Sequence, residues 1–302
     1  KHFRPKAALL METEVWPTMI ESCRRASIPA FLINARLSER SAKGYAKHAA
    51  FTRPIFAALS GVAAQTKADA TRLAAVGANN ITVTGNVKFD VAIPSNQQGL
   101  GETFRARFGG ERRRPIFLAA STREGEETLV LDALSQATLP ENAVTVIVPR
   151  HPERFKAVAA LLKERELAFV TRSQNIDVPD HVKYVIGDSM GEMLAYYLAA
   201  DIAFVGGSLL PLGGQNLIEP LAAKTPTLIG AHTFNFQEIA QLAVWAGAAV
   251  RVESAASLIE EVAVLLNDKD KQNKMIHAGE AFLAEHRGAT DRLMSWLEKN
   301  RM

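Results

Sequence analysis

Cysteine is almost absent: Cys23 is the single one in 302 residues. An internal disulfide and a cysteine-cluster metal site are thereby excluded, and a reducing compartment fits. Charge of one sign is missing too. Lys and Arg total 35, Asp and Glu 32, for a formal net charge of +3. With aromatics at 7%, that balance gives no general affinity for polyanions and argues against nucleic acid as a partner. No apolar run approaches the roughly 20 residues that a spanning helix needs. No G-x-G-x-x-G follows a strand pattern and no G-x-x-x-x-G-K-[ST] occurs, so dinucleotide and P-loop fingerprints are absent. No two histidines have zincin spacing, and neither a metal nor another cofactor is expected. Nucleophile-elbow chemistry is set aside with them.

What is present is an ordinary globular composition, 48% hydrophobic and 22% charged. It is arranged as short apolar runs between polar, helix-forming segments. Ala7–Met11, Pro29–Asn34, Val62–Gln65 and Ile81–Thr84 read as buried strands. Pro17 suits a first helical position, Ser38 and Thr66 are caps, and Gly77 closes a helix. From Val91 to Gly101, Pro94, Ser95, Asn96, two glutamines and two glycines break the pattern, as a connection between domains does. Alternation then restarts at Ile116–Ala120 and runs to the C-terminal helices. The alternation predicts an α/β protein of two doubly wound, Rossmann-like domains with parallel sheets. The first covers residues 1–92 and the second 93–302.

Ligands of such sheets lie beyond the carboxyl ends of the strands. The odd polar clusters fall there: Glu12 and Glu14, Arg36 and Ser38, Lys88, Ser121 and Thr122, Arg150 and His151, Met190–Glu192, Gly206–Ser208 and His232. The run from Ala203 to Pro220 stands out. Strand residues give way to Gly206-Gly207-Ser208, then Gly213-Gly214, then Asn216 before a short helix. Bare backbone N–H groups beside a helix start suit an anion, although the dipole alone is worth only ~0.3–1 kcal/mol. The plainer reading is a capping box of Asn216 and Glu219 with glycine turns. Three basic clusters, Arg24–Arg25, Arg112–Arg114 and Arg4 with Lys6, read as solvated surface or as contact with an anionic membrane.

Taken together, Met11-Glu12-Thr13-Glu14 with Trp16-Pro17, Asn34–Ser38, Gly85–Asp90, Val148–Arg154, Gly187–Glu192, Gly206–Ser208, Gly213–Pro220 and His232–Phe236 closely resemble the bacterial Kdo transferases. Kdo is 3-deoxy-D-manno-octulosonic acid. The resemblance implies the two-lobed GT-B fold and a CMP-Kdo donor. It implies inverting, metal-independent transfer to a lipid A precursor at the cytoplasmic face of the bacterial inner membrane, with peripheral membrane contact. It also implies roles. Glu219 takes the ribose hydroxyls. Asn216, Ser208 and the N–H groups of Gly206, Gly207 and Gly214 approach phosphate or sugar, with Ser121 and Thr122 beside them. Arg150, fixed by His151, meets donor anions. Met190, Gly191 and Glu192 lie by the cytosine. Lys88 reaches the donor from the lobe junction. Glu12 and Glu14 are the candidate catalytic carboxylates on the acceptor side, with Arg36 and Ser38 near them. Gln215 departs from the family, whose members often carry histidine there.

In this family the main base is a glutamate in a glycine-rich loop, preceded by a membrane-anchoring segment. Neither is found ahead of Ala7, and the chain starts at Lys1. The expectation is a first lobe present only in part, so that this stretch alone binds donor nucleotide weakly and turns over little. Two other readings stay open: a sugar-nucleotide epimerase of the same fold, which CMP against UDP competition separates, and a non-catalytic nucleotide-binding module.

Overall fold

The computed structural model of the chain describes residues 5–110, 113–137 and 139–300. Arg4 and Arg112, each part of a basic cluster noted above, lie outside those residues. The chain divides into two compact units, Lys1–Asp90 with His286–Met302, and Val91–Glu285.

The first unit carries strands β1 (Ala8–Met11), β2 (Ala30–Ala35), β3 (Gly61–Ala64) and β4 (Ile81–Val83), all parallel and in that spatial order. Helices α1 (Pro17–Arg25), α2 (Glu39–Lys47), α3 (Ala49–Ala57) and α4 (Lys67–Ala75) connect them. The local signals act as their chemistry dictates. Ser38 Oγ accepts from the N–H of Ser41 at 3.1 Å, and Thr66 Oγ1 from that of Asp69 at 3.0 Å. Gly77 ends α4 at φ +105°, where a side chain is strained. Helix α3 is absent from the sequence reading, and it carries Pro54 inside it. Thr52 Oγ1 braces the α2–α3 junction by bonding the carbonyls of Tyr45 and His48.

The second unit has seven parallel strands. In chain order its elements are α5 (Ser95–Gly109), β5 (Ile116–Thr122), α6 (Glu126–Gln136), β6 (Val144–Pro149), α7 (Phe155–Glu164), β7 (Phe169–Thr171), β8 (Tyr184–Ile186), α8 (Met193–Ala199), β9 (Ile202–Val205), α9 (Ile218–Ala222), β10 (Thr227–Ile229), α10 (Gln237–Trp245), β11 (Ala249–Arg251), α11 (Ala255–Asn267) and α12 (Lys269–His286), whose last residue is counted with the first unit. The sheet order is β11-β10-β9-β5-β6-β8-β7. Every residue of β5, β6 and β9 is buried, because helices cover both faces of the sheet. The strand order reverses between β5 and β9, the point where such sheets open a crevice.

Three sequence expectations change. The stretch from Val91 to Gly101 is not a bare connection, because α5 starts at Ser95. Its glycines read as breakers, yet Gly101 is where α5 crosses α8. A Cβ there meets Leu198 Cβ at 2.7 Å. Phe104 and Phe108 then bury beside Tyr196, with centroids 4.7 and 6.3 Å away. The second domain also does not run to residue 302. Helix α13 (Ala289–Lys299) packs Leu293, Trp296 and Leu297 on Phe31 and Ala63 of the first unit. The Trp296 ring meets Phe31 edge-on at 5.5 Å. Asp90 receives the N–H groups of Gly288 and Thr290 at 2.7 and 2.6 Å, which fixes the start of α13. Alternation assigns a helix to a layer but not to a sheet. Lastly, Arg114 is 2% exposed rather than solvated. It donates to the carbonyls of Asn142, Pro179 and Val182 at 2.8, 3.1 and 2.6 Å.

Candidate functional site

The carboxyl ends of β5 and β6, the β8–α8 turn and the segment entering α9 enclose a cavity of ≈ 210 Å³ in the second unit. Ser121 comes from the end of β5, and Arg150 from just after β6. Ser189, Met190 and Gly191 come from the turn, with Met193, Tyr196 and Tyr197 behind them on α8. Gln215, Asn216 and Glu219 close the wall. Six residues singled out from sequence meet here: Ser121, Arg150, Met190, Gly191, Asn216 and Glu219.

Two of them are coupled. Asn216 Nδ2 donates to Glu219 Oε1 at 3.1 Å, while its Oδ1 accepts from the N–H of Ile218 at 3.1 Å. The amide therefore caps the helix start and aligns the carboxylate at once. Burial pushes the Glu219 pKa above its ordinary value, and the Asn216 bond and the Arg150 charge only partly offset it. Burial also pushes up the hydroxyl of Tyr197, with the Glu219 charge adding to it. Tyr196 is raised for the same first reason, and its hydroxyl shares a 2.8 Å hydrogen bond with Ser189 Oγ. The cavity thus sets a half-buried carboxylate and an exposed guanidinium among apolar and hydroxyl groups. That set can accept paired hydroxyls at one end and hold an anion at the other.

The glycine loop behaves differently. Gly206, Gly207, Ser208 and Gly214 do not line the cavity. The N–H groups of Gly207, Ser208 and Leu209 donate to the Glu126 carboxylate at 2.6, 2.9 and 3.0 Å, and that of Arg123 joins them at 2.9 Å. Ser208 Oγ bonds the Val205 carbonyl at 2.5 Å and accepts from the N–H of Gly230 at 2.8 Å. Gly214 donates to the Gly207 carbonyl at 2.6 Å. Gly206 has to be glycine, since a Cβ there meets the Ser121 carbonyl oxygen at 2.6 Å. These residues support the wall. Thr122 does likewise: wholly buried, it donates to Glu127 at 2.9 Å, and Arg154 donates to the same carboxylate at 3.1 Å.

Glu192 and His151 also stand outside the lining. Glu192 is clamped by Arg172 through two bonds of 2.9 and 2.8 Å. The sequence reading finds no G-x-S-x-G, but Gly187-Asp188-Ser189-Met190-Gly191 spells that consensus between β8 and α8. It is not a nucleophile elbow. Ser189 lacks the positive φ of that turn, and its Oγ pairs with a phenol rather than a base. Sequence reasoning missed Glu126, Tyr196 and Arg172. The acidic pair Glu126-Glu127 directly after Gly125 was the available signal.

In the first unit, Glu12 sits at the end of β1 with φ +58°. Its carboxylate holds Lys88 at 2.7 Å and Arg36 at 3.6 Å. Glu14 instead accepts from the Trp16 indole at 3.2 Å, so the two carboxylates serve different partners. Ser38 is engaged as the α2 cap. Among the described residues no group of three or more His, Cys, Asp or Glu side chains is placed to hold a metal, and no helix is long and apolar enough to cross a membrane.

Comparison with known proteins fits both units. Residues 1–91 match the family model for 3-deoxy-D-manno-octulosonic-acid transferase (kdotransferase), and residues 110–282 that for glycosyl transferases group 1. The chain is 41% identical over 300 residues to the 3-deoxy-D-manno-octulosonic acid transferase of Bordetella pertussis, covering 97% of this chain and 69% of the relative. It is 40% identical over 306 residues to that of Haemophilus influenzae, covering 98% and 71%. Among solved structures, the C-terminal CMP-Kdo binding domain of WaaA from Acinetobacter baumannii aligns at TM-score 0.60 and 28% identity, over 63% of this chain and 99% of that domain. Anabaena HepE in complex with UDP aligns at 0.58 over 97% of this chain and 78% of that one, and its 14% identity speaks for the fold alone. The fold is GT-B, and the chain is a glycosyltransferase that belongs to the 3-deoxy-D-manno-octulosonic acid transferase family.

Proposed function

We propose that this protein moves Kdo from CMP-Kdo to a lipid A precursor, with inversion and without a required metal, at the cytoplasmic face of the inner membrane. The observation that carries the reading is the cavity of the second unit, where Glu219 and Arg150 share one small space with Asn216, Ser121 and Met190. Glu219, aligned by Asn216, accepts the two ribose hydroxyls. A half-buried carboxylate that gains two donors gains more than a fully exposed one does. Arg150 takes the phosphate, and its charge favours departure of CMP. Met190 and Gly191 give the cytosine an apolar edge.

The first unit receives the acceptor. Glu12 holds Lys88 and Arg36 as a cationic group suited to an anionic glycolipid. A base takes the proton from the acceptor hydroxyl as its oxygen attacks the anomeric carbon, and CMP leaves from the opposite side. Glu12 and Glu14 are the carboxylates of this chain proposed for the acceptor side. Basic residues such as Arg24 and Arg25 are proposed to touch the anionic membrane surface.

Thermal shift with nucleotides tests the donor. CMP raises the unfolding midpoint and UDP leaves it in place. Equal or greater protection by UDP overturns the cytidine reading. CMP release from CMP-Kdo in the presence of acceptor, unchanged by EDTA, tests the transfer and its independence of metal.

A further inference from the structure

Behind the cavity wall lies a second convergence of N–H groups, and it is already full. Gly207, Ser208 and Leu209 follow β9, and Arg123 precedes α6. A bare loop and a helix start with N–H groups aimed at one point are how backbones hold phosphate. Here both oxygens of Glu126 take that point, each with two N–H donors. Glu126 is 0% exposed, so its carboxylate is a fixed part of the fold.

This cradle abuts the cavity. The Ser121 carbonyl lies against Gly206, and the Gln215 side chain against Gly207. Ser121 and Gln215 are themselves walls of the cavity. A nucleotide phosphate beside Ser121 and Arg150 therefore has the filled cradle as its neighbour. A second phosphate directed there finds no N–H left to bind and a carboxylate already in place. Like charges repel far more strongly in such a site than in water.

We propose that Glu126 is a specificity-determining residue, an internal anion that stands where a second phosphate would bind and limits the site to donors with one phosphate. The inference rests on the donor reading above and deepens it.

Calorimetric titration of CMP and CDP tests it. The wild-type protein is expected to favour CMP by about tenfold or more, and Glu126→Gln to bring the two within about threefold. Glu126→Ala opens the cradle, so inorganic pyrophosphate raises its thermal midpoint and leaves that of the wild type unchanged. A wild type that binds CDP as tightly as CMP overturns the inference alone, as does a folded Glu126→Gln protein with an unchanged ratio. A folded Glu126→Ala protein indifferent to pyrophosphate counts against it in the same way. A wild type that binds neither nucleotide sinks the donor reading, and this inference with it. Should both variants fail to fold, the wild-type ratio decides.

Discussion

Two glutamates of the second unit, Glu126 wholly buried and Glu219 half-buried, are handled in opposite ways. The chain bends a glycine loop and a helix start around Glu126 until four N–H groups satisfy it. Glu219 stands on a cavity wall, with the neutral amide of Asn216 as its bonded partner, and burial holds its pKa high. The first carboxylate has its bonding capacity filled by the protein. The second keeps capacity for something that arrives later. Exposed N–H groups on a glycine loop therefore do not mark a ligand site until one asks what already occupies them.

The contrast can be broken most forcefully at Glu126. Glu126→Ala leaves four N–H groups buried without an acceptor, and the expected loss is about 3–5 kcal/mol of stability by urea unfolding. A loss below about 1 kcal/mol would mean that the loop rearranges freely and that the two glutamates do not differ in kind. Glu219→Gln should do the reverse. Nucleotide affinity drops roughly 10–100-fold, the scale of a lost charged hydrogen bond, while the free protein melts no lower than wild type. A Gln variant that binds normally would remove Glu219 from the site.

Acidity sharpens the same contrast. The folded pKa of Glu219 lies above its ordinary 4.5, so the native state binds its proton more tightly than the unfolded chain does. Its contribution to stability is present below 4.5 and lost as pH rises through the folded value. Nucleotide affinity should run the other way, weakening as pH falls through that value in the wild type and staying flat in Glu219→Gln. Titrations across that interval read both trends.

The smallest effect belongs to the first unit. At Asp90 burial works upward, but the N–H groups of Thr290 and Gly288 and the Arg292 charge outweigh it and leave the pKa below 3.8. Its stabilisation holds above 3.8 and is lost as pH falls through the folded value, the opposite sign to Glu219. Asp90→Asn should cost about 1 kcal/mol, as a lost helix cap does, and flatten the acid side of the stability curve. No change in that acid limb would show that the α13 start is held by packing alone.

Much of this was legible in the sequence because local chemistry decided it. Ser38 and Thr66 cap where their side chains can reach an N–H, and the runs of β5, β6 and β9 are buried because helices lie on both faces. By contrast β1 and β4, read as buried strands, leave Leu9, Met11 and Val83 exposed at the sheet edges. The polar tips at strand ends also gave four of the cavity residues, Ser121, Arg150, Met190 and Gly191, while Asn216 came from the glycine stretch and the role of Glu219 from the family resemblance. What stayed hidden depended on distant partners. Gly101 looks like a breaker until Leu198 is placed beside it. Glu126 looks like a helix-start carboxylate until a loop eighty residues later brings three N–H groups to it. The Ser189 pentapeptide matches a catalytic consensus, and only the Tyr196 bond and an ordinary backbone say otherwise.

Trp296 covers Phe31 and the bare face of Gly61, whose Cβ would sit 2.9 Å from the indole. During synthesis the early sheet leaves the ribosome long before the ring that seals it. At ~5–20 residues per second the delay is on the order of tens of seconds. For that interval an apolar surface on nascent β2 and β3 waits uncovered. A sheet made early is closed by a residue made more than two hundred positions later.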